Sequence, residues 1–263
     1  MAYVVDFDPT IFSLGPLQIR WYGFMYVVGF VIGGQILKYL AKKKFFLVPV
    51  EKAESLVTYG IIGMFFGARL TYVFVYNWKY YSDHLSEILA VWHGGLSFHG
   101  AVTGMIIAGV FFAKKYKLHL IQITDPMVLV GTQGLFWGRI GNFINGELYG
   151  RMTDSPLGMI FPPGGTVPRH PSQLYEAVAE GIILFLILWA AKQKIKIYGY
   201  LTGIFLIGYG VMRFFIEFFR EPDAQLGFFF GSITMGQILC FVTVLAGFVF
   251  VFVAQKKNIS ITA

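Results

Sequence analysis

The sequence has little charge and almost no cysteine. Asp, Glu, Lys and Arg make up 13% of its 263 residues, whereas soluble domains carry about 25%. The one cysteine, Cys240, cannot form an internal disulfide, and in its apolar surroundings we expect an inert side chain. No His-rich or Cys-rich spacing occurs and the acidic residues are scattered, so we expect no metal site. The low charge argues against a soluble domain.

Long apolar runs recur along the whole chain, of which 56% is hydrophobic. Runs of about twenty apolar residues predict an all-α polytopic membrane protein with about seven transmembrane helices and a single integral membrane domain over residues 1–263. Residues 1–17 contain acidic residues and prolines and lack a basic n-region, so they are interpreted as an interfacial arm. The predicted spans are 18–40, 54–77, 96–114, 122–143, 172–191, 199–219 and 233–254.

The lysines indicate the orientation of these spans. Thirteen of the fourteen lysines fall in four groups, at 38–52, 114–117, 192–196 and 256–257, which follow the first, third, fifth and seventh spans. Positive residues concentrate in cytoplasmic loops. The N-terminus is therefore predicted outside and the C-terminus in the cytoplasm. The net charge of +7 is then a topology signal and does not indicate a nucleic-acid partner.

The arginines have the opposite distribution. All fall near outer helix ends, in outer loops or in the outward half of a span. The outer loop 144–171 is rich in proline and glycine and is predicted to form a small cap. Because a guanidinium binds phosphate or carboxylate through a planar fork, the arginines indicate an anion at the outer half of the membrane. The seven are Arg20, Arg69, Arg139, Arg151, Arg169, Arg213 and Arg220.

The segment GRIGNFINGELYGR, residues 138–151, holds two arginines, two asparagines and a glutamate at the end of a predicted span. On a helix, Arg139, Asn142 and Asn145 would lie roughly on one face, and Glu147 follows them. An arginine that extends to the headgroups would explain Arg139 alone. It does not explain two amides and a carboxylate beside it, so we favour a binding site.

The segment IGYGVMRFFIEFFREPD in the sixth span carries a second polar face. Tyr209, Arg213, Glu217 and Arg220 follow at helical spacing. The alternative is an Arg213–Glu217 pair at i and i+4 that neutralises itself within the membrane. Arg220 is predicted to be interfacial.

Three further segments contain candidate residues that also have simpler interpretations. WHGGLSFHGA holds His93 and His99, and a lone histidine is often a hydrogen-bonded core residue. RHPSQLYEAVAEG holds Glu176 and Glu180, which the helix dipole would stabilise near an N-terminus. IRWYGFMY holds Tyr22, which could belong to an aromatic belt.

Together these groups suit a phosphate whose attached chains remain in lipid. An anion transporter is the main alternative, although it would place polar groups near mid-bilayer in repeated, broken helices, and no internal repeat is visible. A metal-dependent phosphatidyl transferase would need several aspartates on one helix. Asp125 is the only aspartate within a predicted span.

Four segments resemble the prolipoprotein diacylglyceryl transferase family, and the resemblance covers essentially the whole chain. In chain order they are GGLSFHGA, GRIGNFINGELYGR, RHPSQLYE and GYGVMRFFIEFFREPDAQ. The resemblance implies an enzyme of the bacterial inner membrane with no cofactor. It would move the diacylglyceryl group of phosphatidylglycerol to the lipobox cysteine of a prolipoprotein signal peptide, releasing glycerol phosphate. It also implies seven spans and a site open to the outer leaflet. The segment between Gly150 and Arg169 is shorter than in some relatives.

The resemblance also implies roles for single residues. Arg139 and Arg213 would clamp the phosphate, and His99 would be the general base, although water is an alternative. Arg69 and Arg220 could belong to the site or only to the interface. The implied catalytic residues are Arg139, His99, Arg213 and Glu147, and the implied phosphatidylglycerol-binding residues are Arg139, Arg213, Asn142, Asn145, Tyr22, Tyr209 and Glu217.

Overall fold

The computed structural model describes residues 2–15, 17–90, 94–221, 228–229 and 233–261, so His93 lies outside the described residues. The fold is mostly helical. Its α-helices are α1 (Trp21–Lys42), α2 (Val50–Ala53), α3 (Ser55–Thr71), α4 (Trp78–Tyr81), α5 (Phe98–Lys115), α6 (Ile121–Ile144), α7 (Ser172–Glu176), α8 (Leu184–Ala191), α9 (Tyr200–Ile216) and α10 (Met235–Lys257). Two π-helical turns, Tyr72–Tyr76 and Ala177–Ile183, extend α3 and join α7 to α8.

Each of the seven predicted segments contains a helix, and four of these helices are long and apolar enough to cross a membrane. The four are Trp21–Lys42, Val50–Tyr76, Ser172–Ala191 and Met235–Lys257, while Tyr200–Ile216 is a shorter apolar helix. Helix α6 is long but carries Asp125 and Arg139 among its apolar residues. The described part of the chain is therefore mostly helical, and four of its helices could span a bilayer.

The structure also contains short β-strands, whereas the sequence predicted an all-α protein. They are β1 (Tyr3–Val4), β2 (Thr10–Leu14), β3 (Leu17–Arg20), β4 (Met159–Ile160), β5 (Phe228–Phe229) and β6 (Ile233–Thr234). Strands β2 and β3 form an antiparallel hairpin, helped by Gly15 at φ +58°. Since this hairpin continues to Arg20, the first helix begins at Trp21 and not at residue 18 as predicted.

The segment between α6 and α7 folds back on itself through backbone hydrogen bonds. Gly150 N donates to His170 O at 2.8 Å, and Arg169 N donates to Met159 O at 2.8 Å. Strand β4 of this segment pairs in parallel with β1. The N-terminal arm and the predicted cap are thus joined by a small sheet.

The chain forms two compact units. The first contains Met1–Ile36 and Thr124–Ala263, and the second contains Leu37–Ile123. In the first unit, the fully buried carboxylate of Asp125 caps the start of α9, accepting hydrogen bonds from Gly199 N at 2.8 Å and Thr202 N at 2.9 Å. These bonds satisfy helix N–H groups that have no intrahelical partner.

In the second unit, α3 and α5 pack against each other through glycine. An added Cβ at Gly63, Gly67 or Gly104 would overlap the backbone of the facing helix. Small residues at such contacts let helix backbones approach closely, which is the usual means of helix association in membranes.

Arg69 holds a loop of the second unit. Its guanidinium is 3% exposed and donates hydrogen bonds to the carbonyl oxygens of Glu87, Ile88, Ala90, Gly94 and Gly95 at 2.7–3.2 Å. The guanidinium also lies 5.1 Å from the ring centroid of Tyr81. The expectation that all seven arginines serve an anion is therefore wrong for Arg69, whose donors are used by backbone carbonyls.

Replacing Arg69 with glutamine is expected to lower the free energy of unfolding by about 3 kcal/mol, because several part-buried carbonyl groups and one buried carbonyl group would lose their donor. Thermal and denaturant unfolding in detergent would measure the change. Lys79→Gln removes one positive charge from an exposed position of the same unit and is the matched control. Equal stability of the two variants would contradict the loop-holding role.

Candidate active site

Three arginines converge on one buried carboxylate in the first unit. Arg139 Nη2 lies 2.7 Å from Glu176 Oε2, and Arg213 Nη1 lies 2.6 Å from the same oxygen. Arg220 Nη1 lies 2.7 Å from Glu176 Oε1. The Glu176 side chain is fully buried, while each of the arginine side chains is 15–18% exposed. The Glu176 carboxylate therefore holds the three guanidinium groups from their buried side.

Two more glutamates complete this cluster. Glu180 Oε1 lies 3.7 Å from Arg213 Nη1, and Glu217 Oε2 lies 3.4 Å from Arg213 Nε and 3.5 Å from Arg220 Nε. Glu217 Oε1 accepts a hydrogen bond from Thr234 Oγ1 at 3.1 Å. The alternative of a self-contained Arg213–Glu217 pair is therefore wrong, since the shortest contact of Arg213 is with Glu176.

The three arginines and three glutamates balance in formal charge. A buried charge without a partner is strongly unfavourable, so each member of such a cluster depends on the others.

A guanidinium carries five N–H donors. Arg139 uses Nη2 for Glu176 and Nη1 for Asn142 Oδ1 at 3.3 Å, and its partly exposed fork presents further donors. The geometry suits an anion that approaches from the exposed side.

The polar segment after Arg139 is folded by the end of α6. Gly146 and Leu148 have φ values of +64° and +57°, and such left-handed residues commonly terminate helices. The turn brings Glu147 back toward the helix, where its Oε1 accepts hydrogen bonds from Asn142 Nδ2 at 2.8 Å and Asn145 Nδ2 at 3.2 Å. A chain of hydrogen bonds thus runs from Arg139 through Asn142 to Glu147.

Helix α7 fixes this turn from the other side. Gln173 Nε2 donates to Glu147 O at 2.7 Å, and Ser172 Oγ donates to Leu148 O at 3.0 Å. Both side chains are fully buried. Ser172 and Gln173 therefore connect α7 to the turn that carries Glu147.

The sequence interpretation missed Glu176 and Glu180 as site residues, because the helix dipole was a sufficient local explanation. Glu180 lies in the π-helical turn Ala177–Ile183 directly after Glu176. Single π-helical turns occur frequently at functional sites. The available signal was the presence of two carboxylates in an otherwise apolar span, since ionisable residues within membranes usually have a partner and a function.

The remaining outer arginines of the first unit bind protein groups. Arg151 Nε donates to Arg220 O at 2.7 Å. Arg169 Nη1 lies 2.9 Å from Glu221 Oε2, and its guanidinium lies 5.0 Å from the ring centroid of Tyr149. Arg220, predicted to be interfacial, is instead a member of the cluster. Arg151 binds its backbone carbonyl group, and Arg169 binds the side chain of the next residue, Glu221.

An aromatic group packs beside Arg220. His170 Nδ1 lies 3.2 Å from Tyr175 Oη, and the His170 ring is edge-on to Phe219 with centroids 5.1 Å apart. Burial lowers the pKa of His170 below its usual value. These contacts join the cap segment to Tyr175 on α7 and to Phe219, which follows the end of α9.

The other predicted residues lie in different surroundings. The Tyr22 ring packs against Gly141, and Tyr22 Oη lies 3.0 Å from Tyr26 Oη. Tyr209 is half-buried on α9, one turn before Arg213. His99 belongs to the second unit, where it is exposed near the start of α5 and its Nδ1 lies 3.5 Å from Tyr76 Oη.

Within the described residues, no group of three or more His, Cys, Asp or Glu side chains is arranged to hold a metal ion. The site that the structure shows is a cluster of three arginines and three glutamates, with the amide of Asn142 bound to Arg139.

Residues 9–253 match the family described as prolipoprotein diacylglyceryl transferase. The chain is 47% identical over 253 residues to the phosphatidylglycerol–prolipoprotein diacylglyceryl transferase of Oleidesulfovibrio alaskensis, covering 96% of this chain and 95% of the relative. The Geobacter sulfurreducens enzyme of the same name is 45% identical over 252 residues, with 96% and 97% coverage. That of Pasteurella multocida is 47% identical over 254 residues, with 96% and 94% coverage.

Proposed function

Because the chain belongs to the prolipoprotein diacylglyceryl transferase family, we propose that it transfers the diacylglyceryl group of phosphatidylglycerol to a prolipoprotein. The acceptor is the thiol of the lipobox cysteine in the signal peptide. The sulfur forms a bond to the terminal glycerol carbon of the diacylglyceryl group, and the bond from that carbon to the phosphate oxygen breaks. Glycerol phosphate leaves with the electron pair, and a thioether remains. This is the first step of bacterial lipoprotein maturation.

The observation that carries this proposal is the convergence of Arg139, Arg213 and Arg220 on Glu176. The leaving phosphate gains negative charge as the carbon–oxygen bond breaks. Preorganised donors that meet this charge supply a large part of catalysis in many enzymes. Arg139 and Arg213 bind the phosphate through their partly exposed forks, while Glu176 keeps the two forks aligned. Arg220 adds a third positive charge to the same group.

The neighbouring residues orient this clamp and the lipid head. Asn142, Asn145 and Glu147 form the hydrogen-bond chain that reaches Arg139 Nη1. Glu217 holds the Nε side of Arg213 and Arg220. On the proposed assignment, Tyr22 and Tyr209 contact the lipid head.

A base must remove the thiol proton, because a thiol attacks as its thiolate and has an unperturbed pKa of about 8.5. His99 is the proposed general base, since its usual pKa range suits this transfer. Water is the alternative acceptor, because the positive cluster would favour a thiolate in its neighbourhood. The substrate supplies the nucleophile, which agrees with a chain whose one cysteine, Cys240, is buried.

The proposed placement is the bacterial cytoplasmic membrane, with a single domain over residues 1–263 and seven spans. The lysine distribution supports an external N-terminus and a cytoplasmic C-terminus. Residues 1–17 then form an arm at the outer interface, and residues 144–171 form a cap on the outer face. In this orientation the arginine cluster opens toward the outer leaflet.

The direct test uses purified protein in detergent, phosphatidylglycerol labelled in its terminal glycerol, and a peptide that bears a lipobox cysteine. We expect labelled glycerol phosphate to be released together with formation of the thioether peptide. The same peptide with serine in place of cysteine is the control and should give no release. Release that is equal with both peptides would refute the proposed transfer to the thiol. No release from folded protein would also refute it and would favour an anion pathway.

A further inference from the structure

An apolar groove of about 620 Å³ lies between α3 and α5 of the second unit. Gly63 and Gly67 form its floor, where the two helices touch. The side chains of Ile62, Phe66 and Ile107 line it and are 50–59% exposed. In the proposed membrane placement these exposed side chains face lipid. No step of the proposed reaction uses this groove.

The groove has the length of one leaflet. Eleven residue steps separate Tyr59 from Leu70, the two ends of the groove on α3, which corresponds to about 16 Å at about 1.5 Å per residue. The hydrocarbon core of a bilayer is about 30 Å thick. An acyl chain lying in the groove would therefore cross one leaflet and end near the midplane of the bilayer.

A positive charge lies at one end of the groove. Lys115 is the last residue of α5, and its Nζ donates a hydrogen bond to Tyr59 Oη at 3.2 Å. The same ammonium lies 5.5 Å from the Tyr59 ring centroid and 5.8 Å from that of Tyr116. Its partners in the described structure are tyrosines, not carboxylates. An apolar groove with a cation at one end is complementary to an acidic lipid, whose acyl chain is apolar and whose headgroup is negatively charged.

We propose that this groove binds one acyl chain of an acidic phospholipid of the bilayer, with the lipid phosphate on Lys115. The inference rests on the membrane placement of the proposed function but not on the transfer reaction. In the proposed topology Lys115 faces the cytoplasmic leaflet, whose acidic lipids attract basic residues at its surface. A second copy of the chain and the helix of a precursor signal peptide are the competing occupants.

Photocrosslinking can identify the occupant. The full-length protein is reconstituted in phosphatidylcholine bilayers that contain a small fraction of phosphatidylglycerol with a photoreactive group in its acyl chain. A parallel sample contains the matching phosphatidylcholine probe, and labelled peptides are mapped by mass spectrometry. We expect adducts on Ile62, Phe66 and Ile107, and about fivefold more from the acidic probe, as expected for one lysine near an acidic surface.

Two charge-neutralising variants separate the groove from the surrounding lipid. Lys115→Gln should bring the labelling ratio of the two probes close to one, whereas Lys257→Gln, at the end of α10, should leave it unchanged. Equal labelling by both probes in the unsubstituted protein would overturn the proposal. So would groove labelling no greater than that of Phe248, which is 59% exposed on α10, or crosslinks to a second chain.

The transfer assay on the same preparations keeps the two proposals apart. Lys115→Gln is expected to retain the transfer activity, because its cation contacts Tyr59 and Tyr116, which take no part in the proposed reaction. Active protein without preferential groove labelling would refute the lipid site alone. Inactive protein with preferential labelling would refute the proposed reaction and leave the lipid site standing.

Discussion

Replacing Arg139 with alanine is expected to reduce the rate of diacylglyceryl transfer at least a hundredfold while the protein remains folded in the membrane. Arg139 is the guanidinium that connects Glu176 with the hydrogen-bond chain through Asn142. Loss of one preorganised donor to a developing charge typically costs about 2.7–4 kcal/mol in the transition state, or roughly 10²–10³ in rate. Release of labelled glycerol phosphate at saturating lipid would measure the loss.

Two further variants show whether the planar fork or only the charge is required. Arg139→Lys keeps a positive charge but cannot contact Glu176 and a phosphate through parallel N–H groups, so it should also be strongly impaired. Arg20→Gln removes an outer arginine that is exposed and contacts Gln18, and it should keep near-normal activity. Normal transfer by Arg139→Ala would show that the cluster does not serve the phosphate.

The helices could be predicted because their cause is local in the sequence. Long apolar runs give helices in each of the seven predicted segments, and GRIGNFINGELYGR gives a helix end with polar side chains gathered on it. The link from Arg139 to Asn142 was predictable for the same reason, since residues three apart are neighbours on a helix. Contacts within one helix or one turn follow from spacing alone.

The partners of the arginines could not be predicted, because they lie far along the chain. Arg213 contacts Glu176, which precedes it on another helix, and Arg220 reaches the other oxygen of the same carboxylate. A local explanation was available for Glu176 in the helix dipole, and it concealed the tertiary role. Arg69 shows the converse, since its position resembled that of the other arginines but its donors bind backbone carbonyls.

The N-terminal hairpin was missed for a different physical reason. Strands β2 and β3 are stabilised by pairing with each other, and β1 by pairing with β4 more than 150 residues later. Strand formation depends on such neighbours more than on intrinsic preference. The acidic residues and prolines of residues 1–17 indicated an interfacial arm but could not reveal these pairings. The end of the hairpin at Arg20 then sets the start of α1.

Replacing Glu176 with glutamine is expected to destabilise the protein more than any single arginine substitution in the cluster. The change keeps the side-chain shape but leaves three guanidinium groups facing each other without their common carboxylate. Removing one partner of a buried ion pair typically costs about 3–5 kcal/mol. The rate of diacylglyceryl transfer should fall as well, because the guanidinium groups of Arg139 and Arg213 would no longer be held in position by one carboxylate.

A double-mutant cycle distinguishes this interpretation from a general effect of altering the core. If Glu176 acts through its charge, Arg139→Gln together with Glu176→Gln should cost less stability than the two single changes added together, with a coupling of about 0.5–3 kcal/mol. Glu221→Gln is the matched control, because Glu221 also binds an arginine at 2.9 Å but is 48% exposed. Exposed pairs contribute about 0–1 kcal/mol. Additive single changes, or an equal loss in the control, would mean that Glu176 fills space beneath the arginines and does not organise them.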